Sequence, residues 1–384
     1  MNFDLTEEHR LIRETVRRFA EQEITPVAAE HDRASRFPDE LVHRMATLGL
    51  LGGPIPKEYG GSGLDFVSHA ILTEEVGKAD SSLRTTISVQ VSLVELSILH
   101  WGTEEQKKRY LPKLCTGHLL GCFGLTEPNA GSDPASMETT ATRYEKQWVL
   151  NGSKIWISNA TVADVALVFA QTDKTKGHNG IAAFLIDKGT SGFSTRPITG
   201  KLGLRSSDTG ELLFENCIVS DSSLLASAGQ GFKVAMSALD NGRYSVAAGS
   251  VGIIQGCLDA CKQYVTTRQQ FGKPIGRFQL IQDMIARMAV DLDAARLLVY
   301  RAGHLKNLGL VTTIETSMAK YFASEAAVRA ASDAVQIFGA YGYSEESIVA
   351  RYYRDAKVAT IYEGTSQIQK LLIGSHVLGM KAFV

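Results

Sequence analysis

One glutamate near the C-terminal end, Glu363, has neighbours that suit a general base. Ile361 and Tyr362 precede it, and Gly364 follows it. Apolar neighbours remove water from a carboxylate and raise its pKa toward neutrality, where a general base works best. Gly364 has no side chain, so a bulky ligand can approach the backbone closely. The segment predicts proton abstraction from a weak carbon acid, although a solvated glutamate in a turn before the last helix would have the same local composition.

Two segments in the middle of the chain could bind a flat, phosphate-bearing ligand. Residues 125–133 read LTEPNAGSD, and such a tight loop presents backbone N–H groups and hydroxyls that suit phosphates and ring edges. In residues 152–158, GSKIWIS, a tryptophan that can stack on an aromatic ring precedes a serine hydroxyl. An ordinary turn and a core tryptophan on a strand are the alternatives.

Composition narrows the class of protein. The formal net charge of −1 gives no nucleic-acid footprint, and no apolar run approaches the ~18–20 residues of a membrane span. The 5 cysteines lack zinc or redox spacing and the 9 histidines are scattered, so we expect reduced thiols and no metal site. Because the N-terminal residues also resemble neither a signal nor a transit peptide, the sequence predicts a cytoplasmic protein.

The common sequence motifs of nucleotide-binding sites and of penicillin-binding enzymes do not account for this chain. No Gly-x-Gly-x-x-Gly follows a strand and no Walker A loop occurs, so a nucleotide site here is not of the Rossmann kind. Ser317 and Lys320 fit the Ser-x-x-Lys pattern of penicillin-binding enzymes. They lie inside a helical pattern, however, and lack the partner motifs of those enzymes.

The elements that must position these residues follow a helical, then β, then helical order. Residues 7–30, 64–79 and 85–100 show apolar residues at helical spacing, whereas residues 119–225 alternate β-branched and polar residues with frequent turns. No helices alternate with the strands, so we expect an antiparallel β domain. Long apolar helices resume at Gly231 and predict a bundle whose faces pack on each other or on further copies of the chain.

Five motifs together resemble one family. Residues 362–369, YEGTSQIQ, are similar to the catalytic signature of the acyl-CoA dehydrogenases. The loop at 125–133, the WIS segment at 156–158, the RQQFG segment at 268–272 and the segment at 336–339 match further motifs of that family in the expected order. The resemblance covers essentially the whole chain. One departure is Ala340, where the family usually has a second glycine.

The resemblance implies a three-part α+β architecture. We expect an N-terminal α-helical domain at 1–118, a middle antiparallel β-barrel domain at 119–228 and a C-terminal four-helix-bundle domain at 229–384. Members of the family assemble as homotetramers, so a homotetramer is expected here as well. The flavin would lie between the β domain and the bundle, with the thioester between the flavin and the base.

The resemblance also implies an activity. In the family, the glutamate that matches Glu363 removes the α-proton of an acyl-CoA thioester, and the β-hydrogen leaves as hydride to N5 of FAD. We therefore expect FAD as cofactor, a short-chain or branched short-chain acyl-CoA as substrate and an electron-transferring flavoprotein as partner. Two branches of the family carry their base where this chain has Gly242, which leaves Glu363 without a rival. An acyl-carrier-protein thioester dehydrogenase is an alternative, and an intact Glu363 argues against a non-enzymatic flavin-binding protein.

The matched motifs assign further site residues. Arg268 and Gln279 would reach the FAD pyrophosphate across a subunit interface, which suits the planar, bidentate fork of arginine. All FAD contacts that the resemblance implies lie in the matched segments: Phe123, Leu125, Thr126, Ser132, Trp156, Ile157, Ser158, Arg268, Phe271, Gln279, Gln336, Gly339, Thr365 and Gln367. Substrate contacts are implied for a smaller set: Ser132, Asp240, Arg243, Gly364, Arg84 and Glu95.

Two of these residues bear on the choice of acyl group. Arg84 matches the arginine with which glutaryl-CoA dehydrogenases bind a distal carboxylate. Gly77 stands where those enzymes have a glutamate, however, and Ser366-Gln367 where they have His-Asp, so a structural Arg84 near the pocket is favoured. Glu95 falls near the expected floor of the acyl tunnel, where a buried carboxylate would disfavour a long chain. The alternative is that Glu95 points into solvent or pairs with a cation.

Overall fold

Helices fill the chain from Glu7 to Cys115 and again from Gly231 to Leu378, and a β-sheet lies between them. The structure is a computed structural model that describes residues 4–382. The first residues of the N-terminal segment, which was compared above with signal and transit peptides, lie outside this range. This helical, β, helical order is the one that the sequence predicted.

From residue 4 onward, the N-terminal part contains seven α-helices. Helices α1 and α2 are joined by a π-helical turn, and α5 and α6 by a longer π-helix at Ser88–Glu95. Pro26 does not break this run, because it lies in the first turn of α2, where a missing N–H costs nothing. The seven helices are α1 Glu7–Phe19, α2 Thr25–Ala34, α3 Asp39–Thr47, α4 Phe66–Ala79, α5 Ser81–Ile87, α6 Leu96–Trp101 and α7 Glu104–Cys115.

The middle part forms one eight-stranded sheet. Its order is β6-β7-β3-β2-β4-β5-β8, with β1 paired to β4. The strands are β1 Gly121–Gly124, β2 Thr140–Tyr144, β3 Gln147–Ser158, β4 Val165–Gln171, β5 Ile181–Asp187, β6 Phe193–Pro197, β7 Thr209–Ser220 and β8 Leu224–Leu225.

Most strand pairs are antiparallel, as expected, but the sheet is mixed. Strands β1 and β4 run parallel from the Gly121–Val165 pair to the Gly124–Val168 pair, and β2 meets β4 in parallel at one further pair. A parallel pair needs a long connection, and here the β2–β3 hairpin lies between the two strands in the chain. Strand β4 is buried on both faces, because Leu167 packs toward the helices while Val168 packs against the rest of the sheet.

The C-terminal part consists of five helices and a small hairpin. Helices α8, α9 and α10 pack on one another, and α11 and α12 pack against α10. Cys257 and Cys261 on α8 are buried and free, and reduced thiols were expected. The elements are α8 Gly231–Thr267, β9 Gln269–Gln270, β10 Lys273–Pro274, α9 Gln279–Asn307, α10 Thr313–Phe338, α11 Ile348–Ala359 and α12 Ser366–Leu378.

Neither a membrane helix nor a metal cluster is found in residues 4–382. No helix in this range is long and apolar enough to cross a membrane. No group of three or more histidine, cysteine, aspartate or glutamate side chains in the same range could hold a metal ion.

A buried ion pair fixes the start of the middle part. Lys154 on β3 donates to Glu127 in the loop after β1 at 2.6 Å, and both side chains are almost fully buried. Glu127 also accepts a hydrogen bond from the backbone N–H of Thr139, and Lys154 donates to the carbonyl oxygen of Leu125. Because the two charges are taken out of water together, each is tolerated only while the other is present.

We predict that Lys154→Met lowers the free energy of unfolding by about 3–5 kcal/mol, since it leaves the Glu127 carboxylate buried without its cation. The urea midpoint of unfolding measures this loss. Lys154→Met combined with Glu127→Gln should recover most of it, and Lys146→Met at the exposed β2–β3 turn should change little. An equal loss in the single and double variants would contradict a role for the ion pair.

Candidate active site

Glu363 lies in the turn between α11 and α12 in an unusual backbone conformation. Its φ is 54° and that of Gly364 is 87°, so two consecutive residues are left-handed. For a residue with a side chain this conformation costs on the order of 1–3 kcal/mol and persists only where the surroundings enforce it. Thr365 then caps α12 by accepting a hydrogen bond from the N–H of Ile368.

Three side chains enforce this turn by donating to its two carbonyl oxygens. The carbonyl of Glu363 accepts from Arg243 Nε and from Gln369 Nε2, both at 3.2 Å. The carbonyl of Gly364 accepts from Lys320 Nζ at 2.7 Å and from Gln369 Nε2 at 3.0 Å. The donors come from α8, α10 and α12, so the turn is held from three helices.

The carboxylate of Glu363 fills the space left by a missing side chain on α8. A Cβ atom at Gly242 would lie 1.7 Å from Glu363 Oε2 and 2.6 Å from Oε1. Any residue other than glycine at this position would push the carboxylate away. Gly242 therefore does more than exclude a second base, because its lack of a side chain creates the place that Glu363 occupies.

Burial and nearby cations set the charge state of Glu363. Oε2 is buried without a hydrogen-bond partner. Burial raises the pKa of Glu363 to about 7, while the positive charges of Arg243, Lys320 and Arg84 act to lower it. A pKa near neutrality is what a general base needs. The sequence attributed this burial to the apolar residues that precede Glu363, which was wrong in part. Ile361 is half exposed, and the carboxylate is covered by α8 instead.

Arg84 is a buried cation beside this turn. Its NH2 donates to the hydroxyl of Tyr362 at 2.6 Å, and its NH1 donates to Ser88 Oγ at 3.1 Å. The absence of a side chain at Gly249 makes room for it, because a Cβ there would lie 2.5 Å from Arg84 Nε. Nε has no partner, and no carboxylate in the described part of the chain pairs with this guanidinium.

Arg243 and Asp240 are engaged with the turn rather than free. Arg243 is buried and donates from NH1 to Asp240 Oδ1 at 2.9 Å, besides holding the Glu363 carbonyl. The second carboxylate oxygen of Asp240 accepts from Thr313 Oγ1 at 2.6 Å. The sequence assigned both residues to substrate contact, and in the structure they bond to each other, with Arg243 also bonded to the Glu363 carbonyl and Asp240 to Thr313.

The two segments expected to border a flavin are joined through β3. The backbone N–H of Ile155 donates to the carbonyl of Thr126 at 2.9 Å, which links the loop after β1 to the WIS segment. At Trp156 the strand bulges and φ is 63°, and the indole is 60% exposed although its strand neighbour Ile157 is buried. An exposed indole next to a half-buried Ser158 hydroxyl fits the edge and face of a flat ring. In the same loop Phe123 and Leu125 are buried and Ser132 is exposed.

A second group of expected cofactor residues lies at the far end of α8. Arg268 directly follows this helix, and its guanidinium lies over the ring of Tyr341 at 5.7 Å. Arg243 and Arg268 are 25 residues apart, which is roughly 37 Å along a helix at 1.5 Å per residue. The structure therefore does not bring this group to Glu363 within one chain. Its members are all exposed: Arg268, Phe271, Gln279, Gln336 and Gly339.

Among the described residues, no hydrogen bond joins Glu95 or Gln367 to the Glu363 carboxylate. Glu95 is completely buried and faces Cys115 on α7 and Gln90, so the alternative of a solvent-exposed Glu95 is wrong. Both carboxylate oxygens lack a well-formed hydrogen bond, and burial raises the pKa of Glu95 well above its ordinary value. Ser88 lies on the same π-helix as Glu95, and its hydroxyl forms a hydrogen bond with the hydroxyl of Ser245 on α8. Gln367 is exposed in the first turn of α12.

Sequence reasoning missed two residues that hold the base. Gln369 ends the matched YEGTSQIQ segment but received no role, and Lys320 was considered only for its spacing from Ser317. A lysine with apolar residues directly on both sides in the alanine-rich helix α10 was the available signal, because a buried ammonium group needs an acceptor. Here the acceptor lies 44 residues later in the chain, in the Glu363 turn.

Comparison with known proteins places the chain in a family. Family models for the N-terminal, middle and C-terminal domains of acyl-CoA dehydrogenase match residues 6–118, 122–217 and 229–378. A short-chain-specific acyl-CoA dehydrogenase of Clostridium acetobutylicum is 45% identical over 98% of this chain and 100% of its own length.

Two solved structures share the fold over nearly the full length. A glutaryl-CoA dehydrogenase in complex with glutaryl-CoA has a TM-score of 0.96 at 43% identity, covering 99% of this chain and 98% of that one. A chain in a structure of the electron transferring flavoprotein of Acidaminococcus fermentans has a TM-score of 0.97 at 44% identity, covering 98% and 100%. With three matching domain models and full-length relatives, this chain belongs to the acyl-CoA dehydrogenase family of FAD-dependent oxidoreductases.

Proposed function

We propose that this protein oxidises a short-chain or branched short-chain acyl-CoA to the trans-2-enoyl-CoA, with Glu363 as the base. The observation that carries the proposal is the Glu363 carboxylate itself, which lies against Gly242 with a free Oε2 and a pKa near 7. A carboxylate in that state can take a proton at neutral pH and is not tied up in an ion pair.

In the proposed reaction, Glu363 takes the α-proton of the thioester. The electron pair of that C–H bond becomes the new carbon–carbon double bond, and the β-hydrogen leaves with its own electron pair. FAD supplies the acceptor for this hydride. Among the described residues no acceptor is bonded to the backbone N–H of Glu363, so this donor is available to the thioester oxygen as negative charge develops there.

The flavin ring would be held by the joined segments of the middle part. Trp156, Ser158 and Thr126 offer a ring face, a hydroxyl and a backbone edge at one place. The group around Arg268 lies too far along α8 to serve the same FAD within one chain. We therefore propose that a second copy in a homotetramer supplies Arg268, Phe271, Gln279, Gln336 and Gly339 to the diphosphate and adenosine end.

The electrons would leave to an electron-transferring flavoprotein. The support is the similarity to a chain in a structure of such a flavoprotein from Acidaminococcus fermentans.

The 5 free, buried cysteines fit a reducing compartment, and we propose the cytoplasm. A limit on chain length set by Glu95 stays a prediction, and its packing against Cys115 does not add support for it.

Arg84 favours a second candidate, a glutaryl-CoA-type substrate with a distal carboxylate. A buried guanidinium without a carboxylate partner, next to Tyr362 and Glu363, could pair with such a group. Ser88 and Tyr362 already engage one N–H of NH1 and one of NH2, however, and Gly77 brings no acid to this place. The monocarboxylic short chain remains our preferred substrate.

We predict that Glu363→Gln abolishes turnover while leaving the cofactor bound. Glutamine keeps the shape and hydrogen bonding of glutamate but cannot accept the proton, so bleaching of the flavin absorbance by butyryl-CoA should slow by at least ~10²–10⁴-fold. The bound-flavin spectrum and the affinity for butyryl-CoA serve as controls and should be unchanged. Near-normal bleaching would show that another residue removes the proton.

We predict that Gly242→Ala is similarly damaging although it removes no chemical group. The added methyl would collide with Glu363 Oε2, and a displacement of about 1 Å in a reacting group costs on the order of 10²-fold in rate. Gly374→Ala in α12 is the matched control, because a Cβ there meets no atom within 4 Å. If both variants bleach at the rate of the parent protein, Gly242 does not define the position of the carboxylate.

We predict that butyryl-CoA has a higher kcat/KM than glutaryl-CoA by about tenfold or more. A distal carboxylate would have to give up its hydration to reach the buried Arg84, whereas a butyryl chain would not, and ~1.4 kcal/mol corresponds to a factor of ten. Steady-state assays of both thioesters with an artificial electron acceptor measure the ratio. Faster turnover of glutaryl-CoA would assign Arg84 to the substrate and overturn our preference.

A further inference from the structure

The spacing of Lys320 from Ser317 was noted in the sequence. Lys320 is a buried charged residue, and the proposed reaction assigns it no step. Its side chain is 0% exposed on α10. Ser317 Oγ donates to the carbonyl of Thr313 in its own helix and not to Lys320, so the pair does not act as a nucleophile and its base. The ammonium group instead donates to the carbonyl of Gly364 at 2.7 Å.

We propose that Lys320 is a positioning residue for the base, because its ammonium group holds the Gly364 peptide and thereby fixes Glu363 against Gly242. This inference rests on the proposed role of Glu363. Lys320 does not touch the substrate in this arrangement. It acts through the turn, by fixing a backbone conformation and by placing a positive charge near the carboxylate.

The geometry of the turn supports this role. Glu363 and Gly364 are both left-handed, and rotation of the peptide that follows Gly364 would turn its carbonyl away from Lys320. Gln369 also binds this carbonyl, but it is uncharged and belongs to the adjoining helix α12, which moves with the turn. Lys320 comes from α10 and so ties the turn to the main bundle.

The electrostatic surroundings point the same way. The cations that face Glu363 are Arg243 from α8, Lys320 from α10 and Arg84 from α5. The charged groups that face Lys320 are Glu363, Arg243 and Glu325. Burial lowers the pKa of Lys320 to about 8, while the two glutamates act to raise it, so the ammonium form is present at neutral pH.

The sign of the effect on the base follows from these charges. A positive charge near a carboxylate favours its ionised form and lowers its pKa. Removing the charge of Lys320 therefore raises the pKa of Glu363 above its value of about 7. At neutral pH a larger fraction of Glu363 is then protonated and cannot accept the substrate proton, and the lost rate returns as the pH is raised.

The experiment measures the ionisation of Glu363 directly in the FAD-loaded enzyme without substrate. The carboxyl C=O band in infrared difference spectra is assigned to Glu363 by its loss in Glu363→Gln, and it is followed as the pH is raised through neutrality. In Lys320→Met we expect the midpoint to rise by about one pH unit, which corresponds to a roughly fivefold smaller carboxylate fraction at about pH 7. The kcat for butyryl-CoA should fall by the same factor and recover at higher pH, with KM little changed.

Two further variants keep the test decisive. Lys201→Met removes a half-buried lysine that also donates to a carbonyl, that of Ser207 in the middle part, and should leave the Glu363 midpoint unchanged. If Lys320→Met does not retain FAD, Lys320→Gln keeps a donor, removes the charge and should raise the midpoint likewise. An unchanged midpoint, the same shift in Lys201→Met, or a loss of kcat that is equal at every pH would overturn the proposal. Activity of Glu363→Gln would overturn the proposed function alone, since the band still reports on Lys320.

Discussion

The contact between the Glu363 carboxylate and the backbone of α8 at Gly242 is the constraint on which the site depends. It places a charge in a poorly hydrated position, and such a charge is tolerated only with compensating cations nearby. Arg243, Lys320 and Arg84 provide them, yet none forms a direct ion pair with the carboxylate. The Glu363 carboxylate is thus stabilised enough to ionise near neutral pH, while its Oε2 atom has no hydrogen-bond partner.

In the middle part, a buried pair of charges likewise fixes the backbone next to the candidate site. The buried pair of Glu127 and Lys154 fixes the loop after β1 on strand β3, and the next residue of the strand, Ile155, bonds to Thr126 of that loop. One residue further, the backbone turns left-handed and exposes Trp156. The position of the indole is therefore set by a rigid, charged anchor immediately before it, which suits a surface that must receive a planar cofactor.

Helix α8 connects these local arrangements to the assembly. Near its beginning it supplies Gly242 and Arg243 to the base, and at its end it leads to Arg268 and the hairpin β9–β10. A straight helix separates the two groups by roughly 37 Å. In the proposed function, a second copy of the chain would therefore supply the Arg268 group to the cofactor.

The sequence by itself determined the order of the three parts, and it predicted Glu363 as the base and the segments that would border a cofactor. These features are local, because residue spacing reports burial and the chemistry of chain neighbours. Only the tertiary structure decided that Gly242 leaves room for the carboxylate, that Lys320 holds the turn, that β1 pairs with β4 in parallel and that Glu95 packs on α7. Each of these joins groups far apart in the chain, and no local pattern specifies which distant backbone atom a buried side chain will meet.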